Sequence, residues 1–450
     1  MHSSRYHLLG RGANAGLERG LDRKTVILGL DGLSLGLARD LCQRGIWKNM
    51  EELLDSGSCM GISSELPEVS PVNWASFFTA RGPEEHGVYG FTHIDPRSYQ
   101  MGLTDFSCVR ADTVWDSLAR SGQTCRIINL PCTYPAPELK GMLVSGFVAP
   151  SLQRAVHPGA LYPILNEKGY RLEADTTLGL ERPEKLIEEL HLTINSRLMA
   201  LDLFWPDQAW DLFIIVFTEL DRLGHFLFHA LEDEKHSLHS DCMGLLKSLD
   251  RAAGEVLSRF EDLPGLKRLM CVADHGFAGL ITEVDVNALL MAEGFLSLSR
   301  PPGDELDTGC IHPESRAFAL DPGRIYIHDR GRFARGRVDQ VEQAEVTRQV
   351  RECLQELKYQ GRKVMDHVYT AGEIYPGGVG MPPDILCVPG SGFDLKAKFD
   401  RGKVFGHFGR TGTHCRDDVF FYDSDGYSPG RVRDVLRGVL RAREREGEKY

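Results

Sequence analysis

Seven residues of this chain have types and spacings that could do chemistry together. Asp31 ends the run Val-Ile-Leu-Gly-Leu-Asp, and Asp221 and His225 stand four apart in Asp-Arg-Leu-Gly-His. Asp274 and His275 are adjacent in Cys-Val-Ala-Asp-His-Gly, His414 closes Arg-Thr-Gly-Thr-His, and Ser70 lies in Pro-Glu-Val-Ser-Pro-Val-Asn-Trp. Three carboxylates and three imidazoles make a mixed donor set. That set suits Zn2+, with Mn2+ or Fe2+ as alternatives, better than Mg2+ or Ca2+, which prefer all-oxygen shells. Six ligands divide into two sets of three, each leaving its ion an open position. Two ions about 4 Å apart can clamp the attacking and leaving oxygens of an in-line displacement.

Ser70 is the nucleophile candidate, and a metal contact as well. A serine hydroxyl is a poor nucleophile near neutral pH until a base or a metal takes its proton. Ser followed by Pro71 reads as an N-cap and first helical position, opening a helix through Thr79. A helix N-terminus stabilises an alkoxide and an incoming phosphate, and Asn73 is the side chain expected to help hold a non-bridging phosphate oxygen. Each feature has a plainer reading by itself: Asp31-Gly32 a turn, Asp221 and His225 a salt bridge, Ser70 a cap. The argument for one site is their joint occurrence at strand ends and glycine turns. Nothing near Cys132 activates its thiol. His407 competes with His414 as the last ligand, His86 falls just past the Ser70 helix, and His93, His229, His236 and His239 are expected to be peripheral.

The positioning elements follow from hydrophobic patterning. Residues 25–30, 125–130, 211–217, 266–273 and 383–388 read as short apolar strands. Residues 34–44, 46–54, 184–204 and 240–260 carry helical spacing. Strands alternating with helices point to an α/β fold, a doubly wound, mostly parallel sheet with helices on both faces. Asp31, Asp221 and the Asp274–His275 pair then fall just beyond strand C-termini, the edge where open α/β sheets place their sites. Residues 1–23 read as a loose N-terminal arm and 24–450 as one catalytic domain. Segments near 147–205 and 290–380 read as caps over the sheet edge, the latter with a basic cluster at Arg324, Arg330, Arg332, Arg335 and Arg337. The charged end from Arg431 reads as a solvated helix.

Composition sets the outer bounds. The 450 residues are 42% hydrophobic and 26% charged, ordinary values for a globular chain long enough to bury a large core. A formal net charge of −12 disfavours nucleic-acid binding and anionic membranes. No apolar run reaches the length of a membrane span, and the N-terminal stretch lacks the apolar core of a secretory signal. Eleven cysteines without a Cys-x-x-Cys pair argue against a disulfide framework and for a cytoplasmic protein.

As a set, Asp31-Gly32, Ser70-Pro71-x-x-Trp74, Thr79 through Pro83-x-x-His86-Gly87, Asp221-x-x-x-His225, Asp274-His275-Gly276 and Gly412-Thr413-His414 resemble the alkaline phosphatase superfamily. The similarity runs from about Val26 to Phe421. It is greatest to the type I phosphodiesterase/nucleotide pyrophosphatase branch, which includes bacterial and archaeal proteins described as predicted phosphohydrolases or phosphomutases. The resemblance implies one metal on Asp221, His225 and His414 and another on Asp31, Asp274 and His275. Ser70 would sit between them and form a phospho-enzyme intermediate. It further implies a small phosphorylated substrate carrying a phosphodiester, pyrophosphate or monoester bond. The alternatives are phosphoryl or phosphoglycerol transfer, as in a mutase, and a metal-stabilised binding protein without turnover. Many members of the branch carry Thr where this chain has Ser70, and Ala80 stands where the branch usually has Gly. The oligomeric state is left open.

Overall fold

The computed structural model describes residues 23–440. The expected arm, apart from Arg23, and the last ten residues of the charged C-terminal segment lie outside them.

An eight-stranded sheet forms the frame. Its strands are β1 (Lys24–Leu30), β2 (Cys59–Ile62), β3 (Cys125–Leu130), β4 (Gly141–Ser145), β5 (Val156–His157), β6 (Leu212–Phe217), β7 (Lys267–Val272) and β8 (Val419–Asp423), in the order β2-β8-β7-β1-β6-β3-β4-β5. The run β7-β1-β6-β3-β4 is parallel. Strand β8 runs antiparallel to β7 and β2, and β5 runs antiparallel to β4. The sheet is therefore mostly parallel. Successive strand side chains point to opposite faces, yet Val26, Ile27, Leu28 and Leu30 are all buried, so both faces of β1 are covered.

The covering helices include α1 (Leu35–Gln43), α2 (Ser70–Thr79), α3 (Pro183–Phe204), α4 (Glu219–Glu232) and α5 (His239–Glu261). Leu186, Leu190, Ile194, Leu201 and Phe204 bring α3 into the same core as β1 and β6. The second half of the 147–205 stretch is thus a helix packed on the main core.

A second apolar core lies apart from the first. Ala317–Leu320, Arg324–Ile327, Ile385–Pro389 and Met365–Thr370 form an antiparallel sheet in that order, with helix α6 (Gln343–Glu356) against it. Phe318, Ile325, Val350, Leu354 and Met365 fill the space between. Sequence patterning finds the strand near 383–388 but assigns it to the parallel sheet. It belongs here, because an isolated apolar run does not reveal its partner. The helix expected over 46–54 shrinks to Glu51–Asp55, since the N–H groups of Lys48, Asn49 and Met50 donate instead to the buried carboxylate of Asp250.

Four of the five arginines in the basic cluster are engaged within the fold. Arg324 is buried and donates to Thr92 and Asp321, Arg332 pairs with Asp384, Arg335 stacks on Tyr99 at 3.8 Å, and Arg337 pairs with Glu314.

Candidate functional site

Three parallel strands end side by side, and their following turns carry the acidic candidates. Asp31 is the first residue past β1, and its neighbour Gly32 adopts φ +81°. A Cβ at Gly32 would lie 3.1 Å from Asp221 Cα, so glycine allows these two segments to close on each other. Asp221 lies in the first turn of α4, just after β6, and His225 lies one turn later on the same face. Asp274 and His275 follow β7 and lead into a two-stranded antiparallel ribbon of Gly276–Gly279 with Gly412–Cys415. That pairing sets Phe277 opposite His414 and thereby carries His414 into the pocket from far along the chain.

Six side chains converge. His225 Nε2, His414 Nε2 and Asp221 Oδ1 are separated pairwise by 3.1, 3.2 and 3.4 Å. Arms of 2.0–2.1 Å in a tetrahedral zinc site imply ligand–ligand edges of about 3.3 Å. His275 Nε2 stands 3.3 Å from Asp274 Oδ2, 3.7 Å from Asp31 Oδ1 and 3.7 Å from Asp221 Oδ1, so it borders both groups.

Each carboxylate commits one oxygen and leaves the other bare. Asp31 Oδ2 accepts from Trp74 Nε1 at 2.8 Å, Asp274 Oδ1 from the Gly32 N–H at 3.2 Å, and Asp221 Oδ2 from Arg222. Asp31 Oδ1, Asp274 Oδ2 and Asp221 Oδ1 are buried without a hydrogen-bond donor, and these are the oxygens facing the imidazoles. Buried carboxylate oxygens are rarely left so. Burial, with repulsion from Asp274 and Asp221, drives Asp31 well above the usual carboxylate range. Burial and Asp221 push Asp274 up to about 7. Burial acts on Asp221 in the same sense, but the Arg222 guanidinium bound to its Oδ2 outweighs it and holds that group low. Burial lowers all three histidines, keeping their rings neutral. His275 Nδ1 donates to Gly276 O at 3.1 Å, and His414 Nδ1 donates to Glu68 O at 2.7 Å. Each then turns an Nε2 lone pair inward, the arrangement typical of a metal-binding imidazole. Donor types, bare oxygens and mutual repulsion all fit divalent cations.

Ser70 Oγ lies 3.2 Å from His275 Nε2, at the rim shared by the two groups. The N-cap of α2 is Val69, not Ser70, and no side chain caps this end. Ser70 and Pro71 occupy the first two helical positions, so the Ser70 hydroxyl is not spent on the backbone. Asn73 is placed differently from the sequence expectation. Its Oδ1 accepts from Glu65 N at 2.7 Å and its Nδ2 donates to Val69 O at 3.2 Å, so the amide ties down the loop before Ser70. His407 is exposed, outside the cluster. Cys132 is buried, which raises its thiol far above the reactive range. His86 accepts from Val88 N at 3.1 Å and lies 2.8 Å from Ser76 Oγ, supporting α2 from below.

Sequence reasoning passed over Arg222, Glu68 and Arg410. Arg222 was visible as the neighbour of Asp221, but no spacing rule singles out an orienting cation. The pocket opens into a cavity of about 510 Å³ whose wall includes Glu68, Phe147, Arg222, His225, Arg410 and His414.

The family model for type I phosphodiesterase / nucleotide pyrophosphatase matches residues 25–414. No curated protein matches the sequence significantly. Among solved structures, phosphonoacetate hydrolase from Sinorhizobium meliloti 1021 in complex with phosphonoformate aligns over 92% of this chain and 94% of its own, with TM-score 0.61 and 14% identity. Human ectonucleotide pyrophosphatase / phosphodiesterase 5 aligns over 93% and 94%, with TM-score 0.55 and 12% identity. An inactive variant of the murine protein in complex with AMP gives TM-score 0.54 at 12% identity, over the same shares of the two chains. At such identities the likeness speaks for the fold.

Proposed function

The chain belongs to the type I phosphodiesterase / nucleotide pyrophosphatase family, an enzyme family, and from that premise we propose a two-metal phosphohydrolase acting through Ser70 on phosphodiester or pyrophosphate bonds. The observation that carries this reading is the trio of buried, donor-free carboxylate oxygens facing imidazole nitrogens, with a serine hydroxyl at their edge. Asp221, His225 and His414 would hold one ion, and Asp31, Asp274 and His275 the other. Zn2+ is favoured on donor chemistry, with Mn2+ or Fe2+ as alternatives. When bound, such ions supply positive charge to the phosphoryl oxygens and acidify a coordinated hydroxyl.

The chain's own residues do the rest. Ser70 loses its proton to solvent and attacks phosphorus. The bond to the leaving alcohol or phosphate breaks, and that group takes up a proton from solvent. The phosphorylated Ser70, keeping the remaining substituent of the substrate, is later hydrolysed by water back to the free hydroxyl. The N-terminal end of α2 faces this charge build-up with the positive pole of its dipole. Trp74, the Gly32 N–H and Arg222 each fix one oxygen of a carboxylate and so aim the other. Glu68 O and Gly276 O fix the tautomers of His414 and His275. The amide of Asn73 keeps Ser70 in register by holding the preceding loop. All eleven cysteines are free, which supports a reducing cytoplasm. No helix of the described residues is long and apolar enough to cross a membrane.

Metal analysis followed by mono-, di- and pyrophosphate substrates tests this reading. Hydrolysis of at least one class, abolished by chelation and restored by Zn2+ or Mn2+, is expected. A metal-loaded protein inert toward all three would refute it. Products formed on an added alcohol in place of water would move the assignment to phosphoryl transfer.

A further inference from the structure

The cavity beside the candidate metal pocket has five cationic side chains in its wall, and four are neutralised by carboxylates. Lys396 lies 2.8 Å from Asp394. Lys398 lies 2.7 Å from Asp321 and 3.0 Å from Glu305. Arg401 lies 2.9 Å from Glu283, with its guanidinium over Phe408 at 3.7 Å. Arg222 is held by Asp221 and Glu173.

Arg410 differs. Its nearest carboxylate oxygen, on Asp394, is 3.8 Å away, and its one close polar contact is His225 Nδ1 at 3.2 Å. Its side chain remains 34% exposed. Arginine can only donate, so this contact makes Nδ1 of His225 the acceptor and places the ring proton on Nε2. His275 and His414 have the opposite arrangement. A neutral His225 that offers Nε2 to a cation must carry its proton on Nδ1, where it would confront the arginine donor. The arginine contact and ligation by His225 therefore exclude each other. Filling the pocket releases a guanidinium into the cavity, a few residues from His414.

We propose that Arg410 is the specificity-determining cation of this site, reading a second anionic group beside the scissile phosphoryl group once His225 is engaged by metal. This rests on the phosphohydrolase reading above. It narrows the substrate class to phosphoryl compounds with a neighbouring phosphate, phosphonate or carboxylate. Arg410 is expected to grip that neighbour with a charge-assisted, two-pronged hydrogen bond.

The test uses the zinc-loaded full chain and two probes, methylphosphonate and methylenediphosphonate, which differ by one anionic group. Binding of each is measured by calorimetry for the wild type, Arg410→Gln and Arg410→Lys. The preference for methylenediphosphonate should fall about tenfold or more in Arg410→Gln and be partly kept in Arg410→Lys. Zinc affinity without either probe should be unchanged or tighter in Arg410→Gln, since a competitor for His225 is gone. An unchanged preference, or zinc affinity lost along with the arginine, would overturn the proposal. Hydrolysis of a panel of mono-, di- and pyrophosphate substrates by the wild type separates the two readings: turnover of any class without an Arg410-dependent preference sinks this inference alone, whereas no turnover of any of the three with metal bound sinks the phosphohydrolase.

Discussion

Two sets of buried carboxylates in this molecule are treated in opposite ways. Asp423, at the end of β8, is fully buried and saturated: Arg268 donates to it from Nε at 2.9 Å and from a terminal nitrogen at 2.7 Å, and the N–H groups of Asp425 and Tyr427 add two more bonds. Asp31, Asp221 and Asp274, at the other end of the same sheet, are as deeply buried, yet each keeps one oxygen bare. Folding alone explains the first arrangement, because a buried charge is tolerated when paired and hydrogen-bonded. It does not explain the second, which raises the free energy of the metal-free fold and fits the proposal that cations complete it.

The sharpest break in this contrast lies at the hydroxyl beside the bare oxygens. Ser70→Ala should lower turnover on the order of 10³-fold or more while metal content stays at the wild-type level. Survival of activity would remove Ser70 from the mechanism. Next in size is the saturated site. Asp423→Ala strands the buried Arg268 guanidinium and should cost roughly 3–5 kcal/mol in urea unfolding, without a direct effect on metal content.

A third test concerns a buried imidazole that, unlike those of the pocket, has no carboxylate beside it. Burial lowers His86 to about 3, whereas an unfolded histidine titrates near 6.5. Between those values the unfolded chain binds more protons, so this group's contribution to stability falls as pH drops below 6.5 and levels off near 3. The loss from pH 7 to pH 4 should be about 3 kcal/mol. His86→Gln should flatten the pH dependence of the urea midpoint over that window, and an unaltered slope would contradict the burial argument.

The smallest expected effect is also the most diagnostic in sign. Asp274→Asn removes one repelling charge from the metal-free pocket and should leave that form unchanged or more stable by about 1 kcal/mol, the reverse of Asp423→Ala. In the same variant, the rise in melting temperature on adding Zn2+ should shrink. Destabilisation of the metal-free form by several kcal/mol would mean that Asp274 is a structural residue like Asp423.

Much of this contrast was legible in the sequence, for identifiable reasons. A parallel strand buried on both faces, such as Leu212–Phe217, must be continuously apolar, and the acidic candidates stand directly after such runs. The α3 and α5 helices announce themselves by periodicity. The second, antiparallel core was not legible as such, because its strands pair across long separations that leave no local mark. The same limit hid the saturated site: Arg268 and Asp423 are 155 residues apart. At the pocket, ligand types could be read but not what aims them. Trp74 was noticed as part of a motif, yet its hydrogen bond to Asp31 is visible only in three dimensions. Ser70 and Asn73 show the converse, since Ser-Pro marks a helix start without saying which residue caps it, and the amide beside the nucleophile candidate holds backbone instead.

The central claim is that the bare oxygens and inward-turned imidazoles hold two ions flanking Ser70. Anomalous diffraction from crystals of the zinc-loaded chain, recorded on both sides of the zinc absorption edge, tests it most directly. Two peaks about 4 Å apart are expected, one against Asp221, His225 and His414 and the other against Asp31, Asp274 and His275, with Ser70 Oγ between them. A fully loaded crystal with no peak in this pocket, or with zinc bound only elsewhere, would contradict the account.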